Sequence, residues 1–364
     1  MNQFFKFCVA ASFPLMALSM SCQNSERSVD VPDNDDNLSE VKPTPATPTR
    51  KMQIVLDELA ALGGKPIETL TPEEARLQPT PADAVKKVLE KQGKPTAPEA
   101  VGNVEDRTVP GPAGEIAVRV YTPEGEGPFP VLFYIHGGGW VIATIDTYDS
   151  SARALCNAAN CVVVSTEYRK GPEAKFPAAH EDVFAAYKWV VQNAGQVKGD
   201  AKRIAVAGES AGGNMAGYIA IRAKADNVKQ PLHQVLVYPV TSDNMNSPSY
   251  QRNANAKPLN KAMMQWFGQH YLNSPAEMSK PWIALMNEPN VKGIAPATII
   301  TAEIDPLMSD GKMYADKLKE AGVDVKYKNY DAITHEFFGM GAVVPEAREA
   351  VKLAGDRLKA AFAQ

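Results

Sequence analysis

Ile204-Ala205-Val206-Ala207-Gly208-Glu209-Ser210-Ala211-Gly212-Gly213 joins an apolar run to a helix-like stretch that continues to Ala225, and its reading decides the fold. A serine on a sharp strand-to-helix turn needs small neighbours, because the backbone bends tightly and the hydroxyl must project into a cleft. Glycines at both flanks of Glu209-Ser210-Ala211 meet that need. The N-terminus of the following helix favours negative charge beside the serine. An ordinary Gly/Ser turn opening a helix has the same pentapeptide, so the surrounding chain must separate the two readings.

A serine hydroxyl attacks poorly at neutral pH unless a base takes its proton and an acid orients that base. The chain has five histidines. In the chain order nucleophile, acid, base that accompanies such an elbow, the base lies after Ser210, which leaves His233, His270 and His335. His335 fits best, in Asp331-Ala332-Ile333-Thr334-His335-Glu336, between a strand-like run Val323 to Tyr330 and a final helix. For the acid, the β-rich run Thr298 to Ile304 ends at Asp305, and Pro306 forbids further ladder pairing there. Asp310, read as the N-cap of a helix from Lys312 to Glu320, and Asp331, read as a turn residue, are the competing carboxylates. Asp305 is preferred.

Ile135-His136-Gly137-Gly138-Gly139-Trp140 follows the apolar strand Val131-Leu132-Phe133-Tyr134. Three glycines let the backbone pass close to a reacting carbonyl and turn its amides inward. Gly137 and Gly138 are the expected oxyanion donors, with the amide of Ala211 as a third. Losing one such donor typically costs on the order of 10²–10³ in rate.

At this point the chain resembles the hormone-sensitive-lipase-like branch of the α/β-hydrolases, which includes bacterial carboxylesterases. The resemblance covers roughly Val101 to Gln364. It rests on His136-Gly137-Gly138-Gly139, Tyr168-Arg169 with Gly171-Pro172-Glu173 and Phe176-Pro177-Ala178-Ala179, the Ser210 elbow, Tyr238-Pro239-Val240-Thr241, and Asp305-Pro306-Leu307 with His335. It implies an α/β-hydrolase fold, a triad of Ser210, Asp305 and His335, and an oxyanion hole of Gly137, Gly138 and Ala211. There are departures. Glu209 stands where the family usually has Asp or Thr, Lys170-Gly171 replaces a more apolar pair, and Glu336 follows the histidine where Gly is common. Glu209 reads as conservative in charge. Glu336 reads as a flexible carboxylate beside the base, expected to raise the histidine's pKa.

The chain has 364 residues, 45% of them hydrophobic, enough for one large catalytic domain. A net charge of -4 without basic blocks gives no reason to expect nucleic acid or an anionic membrane surface as partner. With no CxxC pair and no HExxH, no metal is expected, and no cofactor. Lys6 precedes an apolar stretch, Phe7 to Met20, too short to span a bilayer, so residues 1–22 read as a secretory signal. Ser19-Met20-Ser21-Cys22 resembles a lipoprotein cleavage site that would anchor the protein through a lipidated Cys22; Leu18 lies one place too far upstream, so ordinary cleavage stays open. Asn24 to Arg50 reads as a disordered tether. The expected location is therefore periplasmic, outer-membrane or secreted. In that oxidising environment Cys156 and Cys161 leave both a disulfide and two buried free thiols open.

From Lys51 onward, strand-like and helix-like runs alternate, which predicts a mostly parallel sheet with helices on both faces and ligands at the carboxyl ends of the strands. Helices near 51–61 and 81–91, within about 51–100, and the Asn- and Pro-rich stretch 242–293 are the expected cap. In the latter, an amphipathic helix Asn260 to Leu272 carries Met263, Trp266 and Phe267, expected with Trp140 to line an acyl pocket. The functional expectation is a serine carboxylesterase for short- to medium-chain esters. Deacetylation of a polysaccharide, an arylformamidase, and a catalytically silent surface binding protein are the alternatives. The oligomeric state stays open, a dimer included.

Overall fold

Residues 131–135 form a continuous apolar run, as a central strand covered on both faces requires, and all five are fully buried. The computed structural model describes residues 44–364. It builds one sheet from β1 (Asn103–Gly111), β2 (Gly114–Thr122), β3 (Phe129–Ile135), β4 (Val162–Thr166), β5 (Gly199–Glu209), β6 (Gln234–Val237), β7 (Ala297–Ile304) and β8 (Val325–Thr334). The order across the sheet is β1-β2-β4-β3-β5-β6-β7-β8. β2 pairs antiparallel with both β1 and β4, and every other pair is parallel. The predicted fold class is thus the observed one.

The helices are α1 (Arg50–Ala61), α2 (Pro72–Ala75), α3 (Pro81–Lys91), α4 (Asp149–Ala159), α5 (Ala178–Asn193), α6 (Ala211–Ala225), α7 (Pro248–Arg252), α8 (Lys261–Tyr271), α9 (Met308–Glu320) and α10 (Pro345–Phe362). Successive residues of β3 feed opposite layers, because side chains alternate across a strand. Val131, Phe133 and Ile135 pack in one cluster with Val183 of α5 and Met215 and Ile219 of α6. Leu132 and Tyr134 pack in the other with Leu155 of α4 and Leu358 of α10. Met52 and Val55 of α1 and Val88 of α3 join that second layer, so the N-terminal helices are tied to the sheet domain by apolar burial.

Part of the expected tether is ordered. Thr49 caps α1 through its side chain, which accepts from the Met52 amide, and its own N–H donates to the Ala332 carbonyl at 2.9 Å. The reason is the cap itself, which satisfies a helix-end donor and fixes the chain where composition alone suggested disorder. The expected signal sequence, Cys22 and the tether up to residue 43 lie outside the described residues.

Two expectations about carboxylates change. β8 runs on to Thr334, so Asp331 sits in a strand and not in a turn. α9 begins at Met308, which puts Asp310 in its first turn, where its Oδ2 accepts from the amides of Thr241 and Ser242. Asp310 is fully buried, and that burial pushes its carboxyl up to about 8. Between Cys156 and Cys161 the chain turns at Asn160, in the left-handed region with φ 49, and both sulfurs are buried free thiols.

Candidate active site

The elbow is built by close backbone approach. Ser210 has φ 56 and ψ −118 between the end of β5 and the start of α6. A Cβ at Gly208 would lie 2.2 Å from the Gly212 carbonyl oxygen, and one at Gly212 would lie 2.0 Å from that of Ile135. Any side chain there would force β5, α6 and β3 apart, so glycine is required at both positions. The Ser210 amide donates to Val237 of β6 at 2.9 Å, anchoring the turn to the sheet.

Asp305 and His335 arrive at the same rim through the register of β7 and β8. Ile304 pairs with Thr334 after an irregularity in the ladder, so the residues that follow, Asp305 and His335, leave the sheet side by side. His335 Nδ1–H donates to Asp305 Oδ2 at 2.6 Å, and Ser210 Oγ–H donates to His335 Nε2 at 3.1 Å. That tautomer follows from the carboxylate, which can only accept. The other Asp305 oxygen accepts from the Leu307 amide at 2.9 Å. Asp305 is fully buried, and His335 and Ser210 are nearly so. Burial alone would lower the His335 pKa, but Asp305 above all, with Glu336 and Glu209, holds it above the usual histidine value. The structure therefore brings together the three side chains singled out in the sequence.

The glycine loop after β3 passes beside the serine. Gly138 and Gly139 have φ 95 and 58, and a Cβ at Gly138 would lie 2.2 Å from the Ile142 carbonyl oxygen. A Cβ at Gly137 would meet the Tyr148 hydroxyl at 2.3 Å. The amides of Gly137, Gly138 and Ala211 find no acceptor among the described residues. Free amides beside a buried serine are the arrangement that can stabilise a developing oxyanion. His136 is buried behind the loop, stacked on Tyr168 at 4.4 Å and in contact with Glu167 through Nε2 at 3.3 Å. Although burial opposes it, this His136 contact keeps the Glu167 carboxyl well below the usual range.

Ser210, His335 and Gly138 open into a cavity of about 480 Å³. Its apolar wall includes Leu56, Leu59 and Ile67 from the N-terminal segment and Leu259, Met263 and Phe267 from the excursion between β6 and β7. Two expected lining residues are elsewhere. Trp140, with φ 60, is buried with its indole stacked on Tyr271 at 5.1 Å, and it does not reach the cavity. Trp266 is buried under the roof, where Nε1–H donates to the Leu70 carbonyl at 3.0 Å. Trp266 lies three residues from Met263 yet does not share its place on the wall, because the N-terminal segment covers it.

Sequence reasoning missed the polar cluster behind the serine. Glu209 is buried, with Tyr134 donating to Oε1 at 2.5 Å and Tyr238 donating to Oε2. Burial first, then the nearby Glu336, pushes its carboxyl up to about 7, so it is not simply a charge-conserving substitute. Glu336 is held and not flexible: its backbone has φ 66, and Tyr148 donates to its Oε1 at 2.7 Å. Glu336 and Tyr148 both line the cavity. Glu209 and Glu336 stand out in the sequence as departures and Tyr238 as part of a motif, but nothing in local spacing places Tyr134, Tyr148 and Tyr238 around the two carboxylates.

Serine, aspartate and histidine in that chain order, gathered at the carboxyl rim of a parallel sheet, define the α/β-hydrolase class. A family model described as the alpha/beta hydrolase fold matches residues 132–339. The chain is 40% identical over 253 residues to "Carboxylesterase NlhH" of Mycobacterium tuberculosis, covering 68% of this chain and 79% of that protein. It is 32% identical over 298 residues to "Ethyl acetate hydrolase" of Pseudomonas putida, covering 81% and 92%. Its fold superposes on an esterase structure from Pyrobaculum calidifontis with a TM-score of 0.77 at 34% identity, covering 86% of this chain and 99% of that one. The chain belongs to the α/β-hydrolase family, in its hormone-sensitive-lipase-like branch.

Proposed function

We propose that the chain is a serine carboxylesterase that hydrolyses short- to medium-chain carboxylic esters through an acyl-enzyme. The observation that carries this reading is the Ser210 Oγ to His335 Nε2 contact of 3.1 Å at the floor of a largely apolar cavity of about 480 Å³. Ser210 Oγ attacks the ester carbonyl carbon as His335 Nε2 takes its proton, and Asp305 stabilises the resulting imidazolium. The amides of Gly137, Gly138 and Ala211 receive the oxyanion. His335 then gives the proton to the leaving alcohol, and water repeats the sequence on the acyl-enzyme. The names of the relatives, a carboxylesterase and an ethyl acetate hydrolase, support the ester class.

A fluorophosphonate probe should label Ser210 in the wild type and leave Ser210→Ala unlabelled, with hydrolysis of p-nitrophenyl butyrate reduced on the order of 10⁵-fold or more. An unlabelled wild-type serine would favour a catalytically silent binding protein instead. Acetylated xylan, offered beside a p-nitrophenyl ester series, distinguishes a polysaccharide deacetylase. Export, with membrane anchoring through a lipidated Cys22, is part of the same proposal and rests on the leader-like residues 1–22. A mass spectrum of the mature N-terminus tests it.

A further inference from the structure

Glu336 presents a carboxylate oxygen to the cavity 3.8 Å from His335 Nε2, the atom that must take a proton from the incoming water. Two polar atoms at that separation can both lie at hydrogen-bond distance, about 2.8 Å, from one water oxygen placed between them. The carboxylate is not free to drift. Its residue sits in the left-handed region at φ 66, and the Tyr148 hydroxyl donates to the same oxygen at 2.7 Å. Tyr148 is in turn wedged against the glycine loop, because its hydroxyl occupies the space a Cβ at Gly137 would need. One carboxylate is thereby fixed relative to the base, the serine and the proposed oxyanion donors.

We propose that Glu336, held by Tyr148, positions the hydrolytic water for the second half of the reaction, the breakdown of the acyl-enzyme. This rests on the serine-esterase reading above. Glu336 Oε1 accepts one water hydrogen while the other points at His335 Nε2. A lone pair of the water oxygen then forms a C–O bond to the acyl carbon, the carbonyl π pair moves onto the oxyanion, and the second proton passes to Nε2. Collapse of the intermediate breaks the bond from that carbon to Ser210 Oγ, which recovers the proton from His335 and leaves the free carboxylic acid. In the first half, attack by Ser210 needs no such water, so the two halves depend differently on Glu336.

That asymmetry is the test. Stopped-flow measurement with p-nitrophenyl acetate separates the acylation rate, read from the burst, from deacylation, read from the steady state. Measured at a pH above the acid limb, where the His335 imidazole is neutral with or without Glu336, Glu336→Gly should slow deacylation about tenfold, the size of one hydrogen bond, while changing acylation less than twofold, so the acyl-enzyme accumulates and is seen by intact mass after acid quench. Glu336→Gln keeps an acceptor oxygen and should recover most of the loss, and Tyr148→Phe should move in the same direction as Glu336→Gly. Equal losses in both halves, or no accumulation of acyl-enzyme in Glu336→Gly, would overturn the proposal. A wild type that forms no acyl-enzyme on Ser210 under any quench would instead count against the serine-esterase reading beneath it.

Discussion

At Ser210 the backbone adopts φ 56 with ψ −118, a region that side-chain-bearing residues rarely occupy, and the contacts at Gly208 and Gly212 hold it there. The reward of that geometry is a hydroxyl lifted toward His335. The base is tuned by three carboxylates that face it from different elements: Asp305 after β7, Glu336 directly after it, and Glu209 before the serine. The imidazole must be neutral to accept the serine proton, so activity falls on the acid side as it becomes protonated. Glu336 favours the protonated form. Replacing it with glycine removes that influence, lowers the His335 pKa and should move the acid limb of the kcat/KM profile to lower pH. An unmoved limb would mean that Glu336 does not tune the base. Glycine also suits the left-handed backbone at 336, so the variant is expected to fold.

At the scale of elements, α8 performs two tasks with neighbouring residues. Met263 faces the cavity, whereas Trp266 is buried and fastened by Nε1–H to the Leu70 carbonyl of the N-terminal segment. Met263→Ala should therefore enlarge the pocket and move the preferred acyl length upward across a p-nitrophenyl ester series. An unaltered profile would remove Met263 from the acyl site. Trp266→Ala should chiefly destabilise, by about 3–5 kcal/mol if the site does not collapse, read from the urea midpoint. Helical periodicity sets Met263 and Phe267 on one face with Trp266 alongside, but which of them lines a pocket depends on what packs above the helix. β7 and β8 carry a similar lesson. β7 was legible from its β-rich run and β8 as a strand-like run read only to Tyr330, but the continuation of β8 to Thr334 and the ladder irregularity that leaves Asp305 and His335 adjacent are properties of the pair.

Across the whole molecule, residues far apart in sequence lock the N-terminal segment over the sheet. Arg76 donates to the Val141 and Gly171 carbonyls and pairs bidentately with Glu173, tying α2 to the loops beside the glycine motif. No disulfide supports this arrangement among the described residues. Burial pushes the Cys156 thiol up to about 12, and that of Cys161 well above its usual value, so both should resist alkylation in the native protein and react without reductant once it is denatured. Peptide mapping in which residues 156 and 161 stay unmodified until reduced would contradict the free thiols. By itself the sequence determined the strand and helix alternation, the elbow, the glycine loop and the identity of the three side chains that meet. Each of these is written in short-range terms: residue periodicity, turn chemistry, and the small neighbours a sharp bend demands. Tertiary structure alone decided that Trp140 and Trp266 turn away from the pocket, that Glu209 is clasped by two tyrosines, and that Glu336 is fixed beside the base. Those outcomes depend on packing and register between segments tens to hundreds of residues apart, which no local pattern encodes.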